Sequence, residues 1–256
     1  MNIVVVLRLA PDASQELEIA PSSRDIDRES AGWVINEFDN QALEEAVLIK
    51  QASGASVIAL ALRAEGIEHA LRVAFGRGAD RVVLADGPPL DTYDTRGAAA
   101  TLSAAIRELE ADLVLTGVQT PYDVFGQTAP YVASILGWPH VSVVTQVQSS
   151  DGVVRVTQEY SGGRKALLEI QLPAVLGIQA ASQPPGYIPM SRLRQAMTGS
   201  VVDRMWIAEE SPLAASSLVS LARPERGARA TMLSGGPVEV ADQIIGVLRD
   251  RGMLED

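Results

Sequence analysis

Short unbroken apolar runs alternate along this chain with longer stretches in which apolar residues recur at helical spacing. The first run, Ile3-Val4-Val5-Val6-Leu7, is almost entirely β-branched and fits a strand buried on both faces, as in a parallel sheet. Residues 11–35 are polar and broken by Pro11, Pro21 and Ser22-Ser23, and short hairpin strands can form there. A helix follows. Asp39 is placed to cap it, since a carboxylate accepts from the free N–H groups of a first turn. Ala42, Leu43, Ala46 and Val47 continue it at helical spacing, and Gly54 ends it. Strands are predicted at 57–62, 82–85 and 113–115, and helices at 65–75, 96–109 and 127–136. Glycines 76, 78 and 137 mark helix ends, and a Pro-Pro loop precedes the helix at 96. Strand alternating with helix four times predicts a mainly parallel sheet with helices on both faces and right-handed crossovers.

The period then changes. Strands at 141–147 and 153–160 meet across Ser149-Ser150-Asp151-Gly152, whose Asp-Gly is a hairpin signal. Ser161-Gly162-Gly163 turns into a strand at 166–172, and Pro173 precedes another at 174–178. An antiparallel meander therefore extends the sheet. Three prolines within 182–189 make a stiff extended loop. From about residue 199 there is no long apolar run until 238–248, so the tail reads as an arm with a terminal helix. The chain thus divides into an α/β domain over 1–198 and a C-terminal arm and helix over 199–256.

Composition narrows the chemistry. The 256 residues carry 32 acidic and 21 basic side chains, a formal charge of −11, with no basic cluster of the kind a nucleic-acid binder needs. There is no cysteine, which removes disulfides, thiolate nucleophiles and cysteine metal sites. Two histidines, His69 and His140, cannot build a His-rich metal centre. No Gly-x-Ser-x-Gly and no carboxylate pair stands out, so a hydrolase has nothing to rest on. No apolar stretch approaches the roughly 18 residues of a transmembrane helix, and neither a membrane span nor a signal peptide is expected. The default is a cytoplasmic protein that binds, or works through a cofactor. Only two lysines, Lys50 and Lys165, occur, so any phosphate would be held by backbone amides, hydroxyls and arginine.

The most informative segment is 113–128. A strand ends at Thr116-Gly117, a loop carries Gln119, Thr120, Asp123 and Gly126, and a helix opens at Gln127-Thr128. A helix N-terminus after a parallel strand suits phosphate, Gly126 would let a ligand approach the backbone, and ligands of open α/β sheets bind at such loops. The same segment also reads as a plain strand-to-helix connection. Asn36-Glu37-Phe38-Asp39 is likewise a helix start, and by itself reads as a variant capping box anchored by Phe38. Ser234-Gly235-Gly236-Pro237 superficially resembles a phosphate loop, but too little chain follows it. It reads instead as a loop with Pro237 in the first turn of the terminal helix.

Three segments, in order, resemble the electron transfer flavoprotein β-subunit family. Asn36-Glu37-Phe38-Asp39-Asn40-Gln41-Ala42-Leu43-Glu44-Glu45-Ala46 resembles that family's N-P-F-D-x-x-A-(V/L)-E-E-A. Gly117-Val118-Gln119, Gly126-Gln127-Thr128 and Leu136-Gly137-Trp138-Pro139 resemble its G-(K/R)-Q, N-Q-T-G and L-G-W-P. Val156-Thr157-Gln158-Glu159, Gly162-Gly163 and Leu172-Pro173-Ala174-Val175 resemble V-x-R-E, G-G and L-P-A-V. The likeness covers roughly residues 1–200.

The resemblance implies a three-layer, adenine-nucleotide α-hydrolase-like α/β fold with a mainly parallel sheet, an antiparallel extension and a C-terminal arm. It also implies one half of an αβ heterodimer that is an electron carrier and not an enzyme. The α subunit would hold most of a redox FAD, and this chain would bind AMP or a second FAD. Electrons would come from acyl-CoA or other flavin dehydrogenases and pass to a quinone oxidoreductase or similar acceptor. The nucleotide pocket would map to Val6, Asn36, Glu37, Phe38, Asp39, Leu62, Gly117, Gln119, Asp123, Gly126, Gln127 and Thr128. Asn36 and Asp39 would bond the nucleotide, and the amides around Gly126, Gln127 and Thr128 its phosphate. Partner recognition would fall on a loop over 183–197, with Met190 as the apolar anchor beside Tyr187, Arg192 and Leu193. Met205 and Trp206 would be candidate contacts to the partner subunit. The chain departs from the family at Glu37, Val118, Gly126 and at Tyr122, Val124 and Phe125, where the family has an acidic run. The competing reading is a stand-alone adenine-nucleotide-binding module, like a universal-stress sensor, without a redox role. The Pro-rich loop and the long C-terminal arm count against that reading.

Overall fold

A computed structural model describes residues 1–87, 94–123, 125–150, 152–184, 186, 189–199, 201–208, 218–224 and 230–254. The Pro-Pro loop, Asp151 of the hairpin turn and Tyr187 lie outside the described residues. The chain forms two compact units, Met1–Leu221 and Ala222–Asp256.

In the first unit, β1 (Asn2–Val6) leads into β2 (Leu9–Pro11) and β3 (Trp33–Ile35), an antiparallel pair that forms the short hairpin within the polar segment. Then come α1 (Glu37–Ser53), β4 (Ser56–Leu62), α2 (Ile67–Arg77), β5 (Arg81–Asp86), α3 (Thr95–Glu108), β6 (Leu113–Gly117) and α4 (Thr128–Leu136). The meander follows as β7 (His140–Ser150), β8 (Val153–Glu159) and β9 (Lys165–Gln171), then β10 (Ala174–Ile178), α5 (Met190–Thr198) and β11 (Val202–Trp206). The second unit contains α6 (Pro237–Asp250), with Pro237 in its first turn as the sequence predicts.

The main sheet has nine strands in the order β11-β5-β4-β1-β6-β10-β7-β8-β9. The seven strands from β11 to β7 pair in parallel, and β7, β8 and β9 pair antiparallel. This is the three-layer α/β fold with an antiparallel extension. Residues alternate between its faces as the two-residue strand period requires. Ile3 and Val5 pack with Ala42, Leu43, Ala70 and Leu71 of α1 and α2, while Val4 and Val6 pack with Leu102, Ile106 and Val132 of α3 and α4. Both faces are covered, which is why the central strands read as unbroken apolar runs. Each fully buried Leu or Ile contributes about 1.5–3 kcal/mol relative to exposure. Gly54 and Gly137 end α1 and α4 in the left-handed conformation, at φ 72° in each case.

Two features differ from the sequence reading. Val202–Trp206 lies in the tail but adds a parallel edge strand beside β5, with the Ile207 N–H continuing the ladder to the Asp86 carbonyl at 2.7 Å. Only Val202 and Met205 of its five residues pack against the core, one on each face, so no apolar run announces it. The expected recognition loop is helical over its second half, as α5. Ala196 is fully buried there, and Leu193 packs over Gly76 of α2 at a point where a Cβ would meet its Cα at 3.5 Å.

The chain winds outward from β1 through β4 and β5, then crosses back to place β6 on the other side of β1. The direction of winding therefore reverses beside β1, and the crevice at the carboxyl ends of these strands is where such sheets bind ligands.

Candidate functional site

A cavity of about 670 Å³ opens at that end of the sheet. Its floor is made by strand ends, with Val6 the last residue of β1, Leu62 the last of β4 and Ala85 in β5, and its sides include Thr95 and Thr128 at the starts of α3 and α4. Of the residues expected to bind a nucleotide, Val6, Leu62, Asp123 and Thr128 line this cavity.

The others sit around a buried ion-pair network centred on Arg8, the second residue after β1. Its guanidinium spans three elements. Nε and Nη2 donate to the two oxygens of Asp39 at 3.0 and 2.7 Å. Nη2 also donates to the Gly117 carbonyl at 3.0 Å, and Nη1 to Thr128 Oγ1 at 3.0 Å. Asp123 Oδ2 lies 3.7 Å from Nη1. Asp39 is fully buried and accepts in addition from the backbone N–H groups of Arg8 at 2.9 Å and Gly117 at 2.8 Å. Asp39 therefore does not cap α1. The N-cap is Asn36, and its Nδ2 donates to the Gln119 carbonyl at 3.0 Å, tying the start of α1 to the loop after β6. Asp39 sits one turn further along α1 and faces the strand ends, where it pairs with Arg8.

The loop between β6 and α4 is closed by its own side chains. Asp123 accepts from the Gln127 N–H and the Thr128 N–H, both at 2.8 Å, and from Thr128 Oγ1 at 2.6 Å. A carboxylate thus occupies the dipole end of α4, the position that suits an anion. Gly126 has φ +63°, and a Cβ there would lie 2.5 Å from the Val118 carbonyl oxygen. Its lack of a side chain serves the loop's own turn. Gly117 serves packing, since a Cβ would lie 2.5 Å from Asp39 Oδ1 and 2.6 Å from the Phe38 carbonyl carbon. Glu37 and Gln119 are exposed, and Phe38 is half-buried.

Sequence reasoning missed the cavity's aromatic wall. Trp33 and Tyr122 stack with centroids 6.3 Å apart and planes 10° from parallel, and the Arg28 guanidinium carbon lies 4.6 Å from the Trp33 ring centre. All three line the cavity, and so does Trp206 from the end of β11. Trp206 is 69% exposed, while its neighbour Met205 packs against the core on the α3/α4 side. Residues 33 and 122 are 89 positions apart, so no local pattern joins them. The available signal was Tyr122 itself, an aromatic where the resembled family has acids. Arg8 was legible in principle, being a cation directly beyond the first buried strand.

The remaining expected residues lie elsewhere. Met190 opens α5 and is 56% exposed. Arg192 is exposed and lines a cleft of about 220 Å³ with Lys50 and Asp80. Desolvation raises the Asp80 carboxyl, but the Lys50 bond at 2.5 Å, the Val57 N–H and the nearby Arg192 charge outweigh it and hold it below its ordinary value. The chain leading to α5 is tied down by α1. Glu45, almost fully buried, accepts from Val147 N–H, Ser182 N–H and Ser182 Oγ at 2.8, 2.6 and 2.7 Å. Glu44 accepts from Gly186 N–H at 3.1 Å and from Arg77 at 2.7 Å. His69 is exposed on α2, and His140 opens β7 with Nε2 2.9 Å from Ser142 Oγ. Among the described residues no cluster of His, Cys, Asp and Glu could hold a metal, and no helix is long and apolar enough to cross a membrane.

Fold and crevice together define an open α/β protein with a cavity at the carboxyl ends of a parallel sheet. Comparison with known proteins gives the particular family. The electron transfer flavoprotein domain matches residues 24–211. The chain is 30% identical to the electron transfer flavoprotein subunit beta of Methylophilus methylotrophus, over 98% of both chains. It is 30% identical to that of Clostridium acetobutylicum, over 82% of this chain and 80% of the relative. It is 26% identical to the caffeyl-CoA reductase-Etf complex subunit CarD of Acetobacterium woodii, over 99% of this chain and all of the relative. The chain belongs to the electron transfer flavoprotein family, with the β subunits.

Proposed function

We propose that this chain is the β half of an electron-carrying αβ heterodimer in the cytoplasm. The α subunit holds most of an FAD, which accepts and releases the electrons. This chain supplies scaffold, nucleotide site and partner choice. The observation that carries the reading is correspondence to β subunits along nearly the whole chain, including the tail beyond the α/β sheet. A flavin does the redox chemistry, so the scarcity of catalytic side chains is consistent with a carrier.

Three supporting features divide the labour. The cavity above β1, β4 and β5 is the candidate site for AMP or a second FAD, and its apolar floor and aromatic wall fit a planar ring. The expected phosphate contacts fit less well, because Asp123 holds the α4 amides and both oxygens of Asp39 are engaged. The exposed Met190 at the head of α5 marks the surface offered to an acyl-CoA or other flavin dehydrogenase and to a quinone oxidoreductase. In the second unit, α6 exposes Val238, Ile244, Ile245 and Val247, an apolar stripe suited to covering by the α subunit.

The test is co-expression with an electron transfer flavoprotein α subunit. A co-purifying complex with visible flavin absorbance is expected. A complex without flavin, or no complex, would sink the reading.

A further inference from the structure

We propose that this cavity grips its ligand by the ring and not by a phosphate, so that a nucleoside binds as well as its nucleotide. The inference rests on the reading of the cavity as a nucleotide site and states which part of the ligand is recognised.

The first argument is charge. Among the described residues the cavity is lined by three arginines, Arg8, Arg28 and Arg63, and three carboxylates, Asp25, Glu65 and Asp123. Its formal charge is therefore zero. Each arginine is also engaged, Arg8 with Asp39 at 2.7 Å, Arg28 with Asp25 at 2.9 Å and Arg63 with Asp86 at 2.9 Å. The two lysines of the chain are paired outside the cavity, Lys50 with Asp80 and Lys165 with Glu159. A phosphate entering here meets no surplus positive charge.

The second argument is that two of the three helix starts on the cavity, those of α3 and α4, are already capped by carboxylates, while at the third, the start of α2, Ile67 N–H donates to the Ala64 carbonyl at 3.3 Å and His69 N–H to the Gly66 carbonyl at 3.1 Å. Asp123 accepts from the first amides of α4, and Asp94 accepts from the Gly97 N–H of α3 at 3.0 Å. For a phosphate to use the α4 amides, the Asp123 side chain would have to swing out of three hydrogen bonds. It is 7% exposed and has little room to do so.

The third argument concerns what the cavity does offer. Arg28, Trp33 and Tyr122 form a layered wall, and Trp206 stands on the same rim from another strand. Aromatic faces bind planar heteroaromatic rings by stacking whatever the substituents, and a guanidinium over a ring adds cation–π attraction. The ligand class is therefore a neutral planar heteroaromatic system, adenine or isoalloxazine, carried on a sugar or ribityl chain that points to solvent.

The experiment uses the full chain in complex with its α subunit, freed of small molecules by dialysis and titrated by calorimetry with adenosine, AMP, riboflavin and FMN. Members of the pair that binds, with and without phosphate, are expected to agree within about threefold, and the pair that titrates identifies the ring. Trp33→Leu and Tyr122→Leu should each weaken both members equally, by about tenfold or more given the usual worth of base stacking. Asp123→Ala, which frees the α4 amides, should restore a phosphate preference of about tenfold. The proposal is overturned if AMP exceeds adenosine, or FMN riboflavin, by tenfold in the unaltered chain, or if neither aromatic substitution changes binding. If no ring binds while the complex carries flavin, this proposal fails and the electron-carrier reading stands. If a ring pair titrates as stated but the complex carries no flavin, the electron-carrier reading fails and this one stands.

Discussion

Arg8 is a residue whose loss the structure makes costly. Replacing it with Met keeps the stem volume but removes the guanidinium that joins Asp39, the Gly117 carbonyl and Thr128. Asp39, fully buried, would keep two backbone N–H donors, those of residue 8 and Gly117, and lose the one cation that pairs with it among the described residues. Asp123 would keep its three donors from Gln127 and Thr128. Breaking a buried ion pair by removing one partner costs about 3–5 kcal/mol, because an uncompensated charge stays behind. The surviving N–H donors place Arg8→Met near the low end, about 3 kcal/mol. For a unit of this size each kcal/mol shifts Tm by about 2–4 °C, so a fall of roughly 6–12 °C is expected. Urea unfolding followed by circular dichroism measures the free energy directly. Pairing Arg8→Met with Asp39→Asn isolates the interaction, and the double variant should be more stable than the sum of the singles by over about 1 kcal/mol. A loss under about 1 kcal/mol for Arg8→Met, or strictly additive effects, would refute the view that this network clamps the strand ends.

Gly117→Ala should destabilise by about 1–3 kcal/mol through overpacking against Asp39 and Phe38, and Gly126→Ala by about 1–2 kcal/mol through its left-handed backbone. Unchanged urea midpoints would contradict both assignments. Glu45→Gln replaces an acceptor oxygen with a donor facing Val147 and Ser182. Amide exchange at those two residues should quicken by about tenfold or more while exchange in the central strands stays slow, and equal protection would show that other contacts hold the segment. Burial holds the His140 imidazole below its ordinary value of 6.5, so the unfolded chain binds its proton first as pH falls. Stability should therefore decline as pH drops below about 6.5 and level off once the folded imidazole also protonates. His140→Gln should lose that slope, and identical pH profiles of the urea midpoint for both proteins would exclude His140 as its source.

The alternation of strands and helices was legible because a doubly covered parallel sheet leaves unbroken apolar runs, and each helix buries one stripe. The predicted strand at 57–62 and helix at 96–109 fall within a residue or two of the observed elements. The edge strand β11 escaped because only Val202 and Met205, on opposite faces, pack against the core, which leaves neither a run nor an alternation. α5 escaped for a different reason. Its head follows a Pro-rich segment that argues for a loop, and what holds it is long-range: the buried Ala196, the small Gly76 opposite, and Arg72 donating to the Ala196 and Gly199 carbonyls. Local propensity has no access to such contacts.

The candidate site was legible by place more than by partner. Asn36, Asp39, Gly117, Asp123 and Thr128 do converge at the carboxyl ends of the strands, as the position of their loops requires. What each side chain faces was not legible, because the organising group is Arg8, 31 residues from Asp39 and 120 from Thr128. A helix start in isolation presents free N–H groups, and so suggests an anion. In the folded chain the nearest carboxylate, four residues upstream, satisfies them first at no cost in association entropy, and only an anion that outcompetes Asp123 can replace it. The departures at Tyr122 and Gly126 follow the same logic. The glycine lets the loop fold tightly enough for Asp123 to reach the α4 amides, and the tyrosine, turned toward Trp33, makes the mouth of the cavity aromatic where an acidic run would have left it polar.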